Sequence, residues 1–288
     1  MNRTLHPDKL LDGRPAARRI RERVTERVAQ IRKTTGIQPT LATVMVGDNA
    51  SSAVYVRMKR KRCEDVGIRS LSVELPTDTT TERLVGEIEH LGADPAVHAI
   101  LVQHPVPVPI DRRAAFEAIP LAKDIDGVSS AALGRILLGM DAFIPCTPAG
   151  IMRLLREYNV ALDGAHAVVV GRSPILGRPM ASMLINAHAT VTLCHSRTRK
   201  LPEIVRTADL LIVAVGRPRF VPGEWIAEGA VVVDAGYNEG VVGDVDFDSA
   251  VERASLITPV PGGVGPMTLA ILVEQAAEAA ARQLGATG

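Results

Sequence analysis

Residues 167–177 read AVVVGRSPILG, a run of β-branched residues followed by a turn that begins and ends with glycine. Apolar residues at helical spacing continue from Ile175 to Asn186. Strand, tight turn and helix in this order are typical of a site that holds the phosphates of a dinucleotide on backbone N–H groups and the positive end of the helix. The spacing departs from G-x-G-x-x-G, so the turn alone leaves open a plain strand-to-helix connection.

The strand predicted at Thr190–Cys194 bears on the choice between NAD and NADP. An NAD site normally has an acidic residue at the end of this strand, which binds the ribose hydroxyls. Here the strand is followed by Ser196, Arg197 and Arg199, without a carboxylate. Hydroxyl and guanidinium groups suit the oxygens of a 2′-phosphate. The sequence therefore favours NADP, with a solvated basic loop as the alternative.

Outward from this stretch, strands and helices alternate along the chain. Strands are predicted at 41–46, 68–75, 98–103, 167–170, 190–194, 210–215 and 231–234, and helices at 11–31, 51–66, 81–91, 175–186, 201–207 and 268–284. This alternation predicts an α/β fold of βαβ units with parallel sheets. Two prolines at 145 and 148 indicate a hinge, with Thr147 capping the next helix and Thr268 capping the last. We expect domains at 1–146 and 147–267, followed by the helix of 268–288.

Composition excludes several functional classes. The chain has 288 residues, which suits two domains, and its formal charge of +1 gives no basis for steering toward nucleic acid. Its 4 Phe, 3 Tyr and 1 Trp are too few for base-stacking platforms. The spacing of Cys63, Cys146 and Cys194 fits neither a disulfide framework nor a metal site, and every apolar run is far below the about 20 residues of a membrane span. We expect a cytosolic, soluble protein that binds no metal, membrane or nucleic acid.

Polar residues of the first half are candidates for catalysis. Tyr55 and Lys59 are four residues apart, on one face of a predicted helix. Gln103 ends a predicted strand, at the edge where open α/β sheets bind ligands, and Asp126 lies in a loop. Taken singly, each has an ordinary alternative, because residues 57–62 make the helix very basic and loop carboxylates commonly form turns.

Segments spread in order over nearly the whole chain carry a more specific signal. They are VGD at 46–48, YVRMK at 55–59, ILVQHP at 100–105, KDIDG at 123–127, PCTP at 145–148, VVGRS at 169–173, VGDV at 242–245 and TPVPGGVGPMT at 258–268. Together they resemble the methylenetetrahydrofolate dehydrogenase/cyclohydrolase family. The resemblance implies a catalytic domain and a Rossmann-like NADP-binding domain, an active site in the cleft between them, and a last helix that returns to the first domain.

The resemblance also implies roles for residues. Lys59 is similar to the family's catalytic lysine and Gln103 to the residue that positions it. Tyr55 is similar to the residue that packs on the folate, and Asp126 to the carboxylate that binds the pterin N–H groups. Nucleotide contacts are implied at Gly171, Arg172, Ser173, Ser196, Arg197 and Tyr237, and close backbone approach to both ligands at Pro261, Gly262 and Gly263.

The reaction implied is oxidation of 5,10-methylenetetrahydrofolate with NADP, followed by hydrolysis to 10-formyltetrahydrofolate, in a homodimer. Burial and a cationic substrate both favour a neutral lysine, which can then move protons. Two alternatives remain: a dehydrogenase that has lost the hydrolytic step, and a non-catalytic nucleotide-binding protein whose residues 57–62 contact an acidic partner. His104 stands where the family usually has Leu, and strand alternation predicts that it points away from Gln103.

Overall fold

The computed structural model describes residues 6–47 and 50–286, and for residues 50–55 it describes the backbone only. The chain divides into two units. The N-terminal unit comprises Arg18–Arg135, Ala142–Ile144 and the chain from Leu269 onward. The C-terminal unit comprises the chain up to Ala17, Ile136–Asp141 and Pro145–Thr268. No helix within the described residues is long and apolar enough to cross a membrane.

Helices and strands alternate along most of the chain, as the sequence predicts. The strands are β1 Thr40–Val46, β2 Arg69–Leu75, β3 Ala99–Val102, β4 His166–Val170, β5 Thr190–Cys194, β6 Leu210–Val213, β7 Val231–Asp234 and β8 Leu256–Ile257. The helices are α1 Gly13–Thr35, α2 Ala50–Asp65, α3 Thr81–Ala93, α4 Arg112–Glu117, α5 Ser130–Leu137, α6 Cys146–Glu157, α7 Gly177–Asn186, α8 Leu201–Val205, α9 Phe247–Arg253 and α10 Val264–Gln283. Short 3-10 helices lie at Pro7–Lys9 and Gly223–Trp225.

The N-terminal unit contains a parallel sheet in the order β2-β1-β3. All residues of β1 and β3 are buried, as expected for parallel strands covered on both faces. Helix α3 begins where the Thr80 hydroxyl accepts from the N–H of Arg83, and α4 begins where Asp111 accepts from two backbone N–H groups. Because β3 is buried, the segment between β3 and α4 begins at a buried strand end and ends at a capped helix.

The C-terminal unit contains a second parallel sheet, in the order β5-β4-β6-β7-β8. The chain moves from β4 outward to β5 and then returns to the other side of β4 at β6. The order of the strands thus reverses at β4, and ligands of open α/β sheets bind beside such a reversal, at the carboxyl ends of the strands. The predicted α/β fold with parallel sheets is confirmed.

Two predicted helix caps are wrong. Helix α6 begins at Cys146 with Pro145 in the capping position, so Thr147 lies inside its first turn. Helix α10 begins at Val264, and the hydroxyl of Thr268 donates to the carbonyl oxygen of Val264 inside the helix. The glycine-rich run before Thr268 resembles a loop, but a proline is tolerated in the first turn of a helix, where its missing N–H needs no partner.

Several short elements were not predicted, namely α4, α5, α9 and β8. They have 6, 8, 7 and 2 residues, respectively. Elements of this length offer few positions for a hydrophobic pattern, so some of them, such as α8, are predicted and others are not.

Candidate active site

Lys59 and Gln103 of the N-terminal unit are in direct contact. Gln103 follows β3, is 8% exposed, and donates its backbone N–H to the carbonyl oxygen of Val44 in β1. Lys59 projects from α2, and its Nζ lies 2.8 Å from Oε1 of Gln103. The sheet therefore fixes the amide, and the amide holds the half-buried amine.

The orientation of the Gln103 amide is set by its neighbour. Nε2 of Gln103 donates to the backbone carbonyl oxygen of His104 at 2.6 Å. Because the carbonyl can only accept, the nitrogen of the amide must face it and the oxygen must face Lys59. Lys59 thus meets a neutral acceptor, to which it can donate either as an ammonium or as an amine.

His104 lies near this pair. Its ring packs edge-on against Phe116 of α4, with ring centroids 4.9 Å apart, and both ring nitrogens are shielded from water. Burial lowers the pKa of His104 to about 4; the charge of Asp126 raises it, whereas Arg112 and Lys59 lower it. Strand alternation does not apply at His104, because β3 already ends at Val102, so the orientation of its ring relative to Gln103 stays a prediction.

Asp126 ends a segment that is fixed by the groups before it. Asp124 is fully buried, pairs with Ile100 in an isolated bridge, and accepts from the backbone N–H groups of Val128 and Ser129. Burial raises the pKa of Asp124, although these hydrogen bonds lower it. Asp124 shapes the loop, whereas Asp126 is half-exposed at its end.

Gln275 of α10 supports the same loop, and sequence reasoning missed it. Its Nε2 donates to the carbonyl oxygens of Ile125 at 2.7 Å and of Ile144 at 2.8 Å, and its Oε1 accepts from the N–H of Ile144. The backbone immediately before Asp126 is thereby held to the last helix. The side chain of Tyr55 lies outside the described residues.

The glycine turn after β4 lies at the carboxyl edge of the second sheet. Gly171 has a φ of +131°, and a Cβ there would overlap the carbonyl oxygen of Ala214, just after β6. A Cβ on Gly177 would overlap the carbonyl oxygen of Gly171. Both positions require glycine because backbone meets backbone, which leaves the turn open to close approach by a phosphate group.

The predicted nucleotide residues follow successive strands at this edge. Arg172 and Ser173 are exposed in the turn after β4, and Ser196 and Arg197 are exposed after β5. The two turns are joined by a hydrogen bond from the N–H of Gly171 to the carbonyl oxygen of Cys194. Guanidinium and hydroxyl groups are thus available where a carboxylate would stand in an NAD site.

The other predicted contacts lie after β7 and β8. Tyr237 follows β7 and is 53% exposed. Pro261 is exposed, whereas Gly262 and Gly263 are buried; Gly262 has a φ of +122° and accepts at its carbonyl oxygen from the N–H of Gly13. No cluster of three side chains able to hold a metal ion is found among the residues that the structure describes.

Two buried carboxylates at this edge were also missed. Asp234 ends β7 and accepts from the backbone N–H groups of Gly236, Asp244 and Val245. Burial raises its pKa to about 6, although these hydrogen bonds lower it. Asp244 accepts from the loop after β6. Only the segment VGDV at 242–245 marked the position in the sequence, without indicating this role.

Together, these features define an α/β protein with a lysine–amide site in one unit and a dinucleotide-type site in the other. Family models agree: residues 11–126 match the tetrahydrofolate dehydrogenase/cyclohydrolase catalytic domain, and residues 145–284 match the NAD(P)-binding domain of the same family. The chain therefore belongs to the tetrahydrofolate dehydrogenase/cyclohydrolase family.

Individual relatives extend the match over nearly the whole chain. The bifunctional protein FolD 1 of Streptomyces avermitilis is 57% identical over 277 residues, which cover 96% of each chain. The bifunctional FolD dehydrogenase/cyclohydrolase of Campylobacter jejuni has a TM-score of 0.92 at 44% identity, covering 95% of this chain and 98% of the other. The Trypanosoma brucei enzyme, solved with NADP and an inhibitor, has a TM-score of 0.91 at 40% identity, covering 95% and 97%.

Proposed function

We propose that the protein oxidises 5,10-methylenetetrahydrofolate to 5,10-methenyltetrahydrofolate with NADP and then hydrolyses the product to 10-formyltetrahydrofolate. The observation that carries the proposal is the 2.8 Å contact between Lys59 and Gln103 in the unit that matches the catalytic family model. We assign the folate site to residues 1–146 with the helix of 268–288, and the nucleotide site to residues 147–267.

The residues of the second unit fit NADP. Its turn at Gly171 and Gly177 leaves no room for a Cβ, and Arg172, Ser173, Ser196 and Arg197 are exposed beside it. We assign the turn to the pyrophosphate and the basic residues to the 2′-phosphate. NADP supplies the hydride acceptor. Tyr237 and the segment of Pro261, Gly262 and Gly263 complete the proposed set of nucleotide and substrate contacts.

Lys59 carries the proton chemistry of the hydrolytic step. The methenyl substrate is a cation, and a nearby positive charge favours the neutral form of the amine. The neutral amine donates one N–H to Oε1 of Gln103 and keeps its lone pair for a proton from the attacking water. The proton then passes to the folate nitrogen that leaves as the ring opens, so Lys59 acts as base and then as acid. The second proton of the water is released to solvent as the C–O bond becomes the formyl C=O.

Asp126 and Tyr55 bind the folate in this proposal. A carboxylate offers two acceptor oxygens, which suit the adjacent N–H groups of a pterin. The hydrogen bonds from Gln275 to the loop carbonyls hold the backbone before Asp126 in one place. Tyr55, four residues before Lys59 on α2, would pack its ring on the substrate.

The hydrolysis of methenyl-folate without nucleotide tests the assignment of Lys59. Lys59→Met keeps much of the apolar stem, so the protein should fold. The loss of acid–base assistance should lower hydrolysis by about 10²–10⁴-fold, and the dehydrogenase activity should fall less, because hydride transfer requires no proton from the protein.

Lys61→Met is the matched control, since Lys61 is an exposed lysine of the same helix. It should leave both activities unchanged. If Lys59→Met hydrolyses methenyl-folate at the wild-type rate, Lys59 takes no part in the mechanism and is one of the solvated basic residues of α2. A wild-type protein that oxidises methylene-folate without hydrolysing methenyl-folate would instead be the dehydrogenase alternative, and one that turns over neither would be the nucleotide-binding alternative.

We also propose that the protein is a homodimer. In the C-terminal unit, β5 is an edge strand and presents Leu193, and Leu138, Met140 and Ile185 of the same unit are also exposed. Exposed apolar residues beside an open strand edge favour association. Sedimentation equilibrium at micromolar concentration should give twice the chain mass, and a monomer mass would contradict the proposal.

We propose the cytoplasm as the location. Cys63, Cys146 and Cys194 are all buried free thiols, which accords with a reducing compartment. Cell fractionation should place the protein with the soluble cytoplasmic fraction.

A further inference from the structure

Asp244 is a fully buried carboxylate that accepts four hydrogen bonds. Its Oδ2 accepts from the N–H groups of Val215 at 2.6 Å and Gly216 at 2.8 Å. Its Oδ1 accepts from the N–H of Arg217 and from Nδ2 of Asn238, each at 2.9 Å. Four donors on one side chain of 0% exposure hold two chain segments together.

The first segment is the loop after β6, which packs against the glycine turn of residues 171–177, the phosphate turn. Ala214 donates its N–H to the carbonyl oxygen of Val170, the last residue of β4. The carbonyl oxygen of Ala214 occupies the space that a Cβ on Gly171 would need. The next N–H, of Val215, is bound by Asp244. A shift of this loop would therefore move an atom that packs against the phosphate turn.

The second segment is the hairpin of residues 236–245, which carries Tyr237. Asn238 pairs with Val242 in this hairpin and donates its side chain to Asp244. A Cβ on Gly236 would overlap the carboxylate of Asp244, so the start of the hairpin packs directly on a side chain from its end. Asp234 fixes the other side, because it accepts from the N–H groups of Gly236 and Asp244.

Three successive N–H groups that converge on one point normally attract an anion. At residues 215–217 the anion is Asp244 itself, so this loop is closed to a phosphate and the turn at Gly171 stays open to one. We propose that Asp244 is a positioning residue for the nicotinamide dinucleotide, because it fixes the loop after β6 and the Tyr237 hairpin against the phosphate turn. The inference rests on the proposed NADP site.

Asp244→Asn tests the proposal. An amide has only one acceptor atom, so at least one pair of donors would face an NH₂ group. Losing hydrogen bonds to a charged acceptor should raise the dissociation constant of NADP roughly tenfold or more. The constant for NAD should rise by the same factor, since Asp244 positions segments that are not specific to the 2′-phosphate. Titration calorimetry with both nucleotides measures the two factors.

The hydrolysis of methenyl-folate without nucleotide is the internal control. Lys59 and Gln103 belong to the other unit, so Asp244→Asn should keep this activity within about twofold of wild type per folded protein. The KM for NADP in the dehydrogenase assay should rise while the KM for folate stays the same. A general loss of folding would lower both activities together and leave the KM of the remaining enzyme unchanged.

Asp209→Asn is the matched control variant. Asp209 is also a carboxylate that accepts from a backbone N–H, that of His166 at 2.8 Å, but it precedes β6 at the opposite edge of the same sheet. It should lower the thermal midpoint without changing the dissociation constant of either nucleotide. If Asp209→Asn weakens nucleotide binding as much as Asp244→Asn, the effect is one of stability and the proposal is overturned.

Asn238→Ala covers the case in which Asp244→Asn does not fold, because it removes one of the four donors from a half-buried position. It should weaken NADP and NAD equally, by a smaller factor. Unchanged binding of both nucleotides by this variant, or a loss confined to NADP, would contradict the proposal. Wild-type protein is titrated first, and if it binds no NADP, the proposed function fails independently of Asp244.

Discussion

Replacing His104 should remove a pH dependence from the stability of the protein. The ring packs on Phe116 with its nitrogens shielded from water, and burial lowers its pKa to about 4 from an ordinary value of 6.5. The charge of Asp126 opposes this shift, and the charges of Arg112 and Lys59 add to it. Protonating the folded protein would therefore place a cation in the buried surroundings of Lys59 and Gln103.

The magnitude follows from the two pKa values. Because the folded pKa lies below the unfolded one, the unfolded chain binds the proton more readily at acidic pH. The neutral imidazole thus contributes stability that is fully present above pH 6.5 and is lost as the pH falls toward 4. At about 1.4 kcal/mol per pH unit, the free energy of unfolding should fall by roughly 2 kcal/mol between pH 7 and pH 5 from this group alone.

Urea unfolding at pH 7 and pH 5 measures this loss in the wild type and in two variants. Neither His104→Gln nor His104→Leu can titrate, so both should show a pH dependence smaller by roughly 2 kcal/mol. Their stabilities at pH 7 should differ, since one side chain is polar and the other apolar. His90→Gln, at an exposed histidine of α3, is the control for the removal of a histidine as such.

An NMR titration of the imidazole resonances gives the pKa directly, and the signal absent from His104→Gln identifies the residue. A His104 resonance that titrates near pH 6.5 would refute the reasoning. So would a wild-type pH dependence retained in both His104 variants.

Two further predictions concern the ligands. Arg197→Ala, and likewise Arg172→Ala, should weaken the binding of NADP by roughly tenfold or more, because a contact to a charged phosphate contributes about 1.5–3 kcal/mol. The dissociation constant of NAD should stay within about twofold of the wild-type value. Calorimetry with both nucleotides measures this, and equal losses for NADP and NAD would show that these residues do not contact the 2′-phosphate. Asp126→Asn should weaken the binding of a folate analogue and lower both activities, because an amide accepts hydrogen bonds at one atom whereas a carboxylate accepts them at two. An unchanged dissociation constant for the analogue would show that Asp126 only shapes the turn.

The sequence predicts the fold well where the pattern is local. The strands β5 and β7 occur at the predicted residues, because each is a short run that contains several β-branched residues, which favour strands. The hydrogen bond between Lys59 and Gln103, implied by the resemblance, is present. The first turn of α10 was missed because its Gly and Pro residues resemble a loop when only local propensity is considered.

The supporting contacts could not be predicted, because they join distant residues. Gln275 binds the carbonyl oxygen of a residue 150 positions earlier, and Asp244 binds N–H groups 27 to 29 positions earlier. Backbone N–H and C=O groups are present at every residue, so no side-chain pattern indicates which of them a carboxylate or amide will bind. One signal exists for Gln275: it is a polar side chain next to the buried Ala276 and Ala277 of a mostly apolar helix.

The chemistry of the partner of Lys59 explains why an amide stands at position 103. A carboxylate 2.8 Å from the amine would form an ion pair, which favours the ammonium and opposes the loss of a proton. An amide oxygen fixes the amine in position without adding a negative charge. Because Nε2 of Gln103 is itself bound to the carbonyl oxygen of His104, the amide cannot rotate to present a donor to Lys59. The arrangement therefore orients the amine while leaving both of its protonation states accessible, which is what a group that first takes up a proton and then returns it requires.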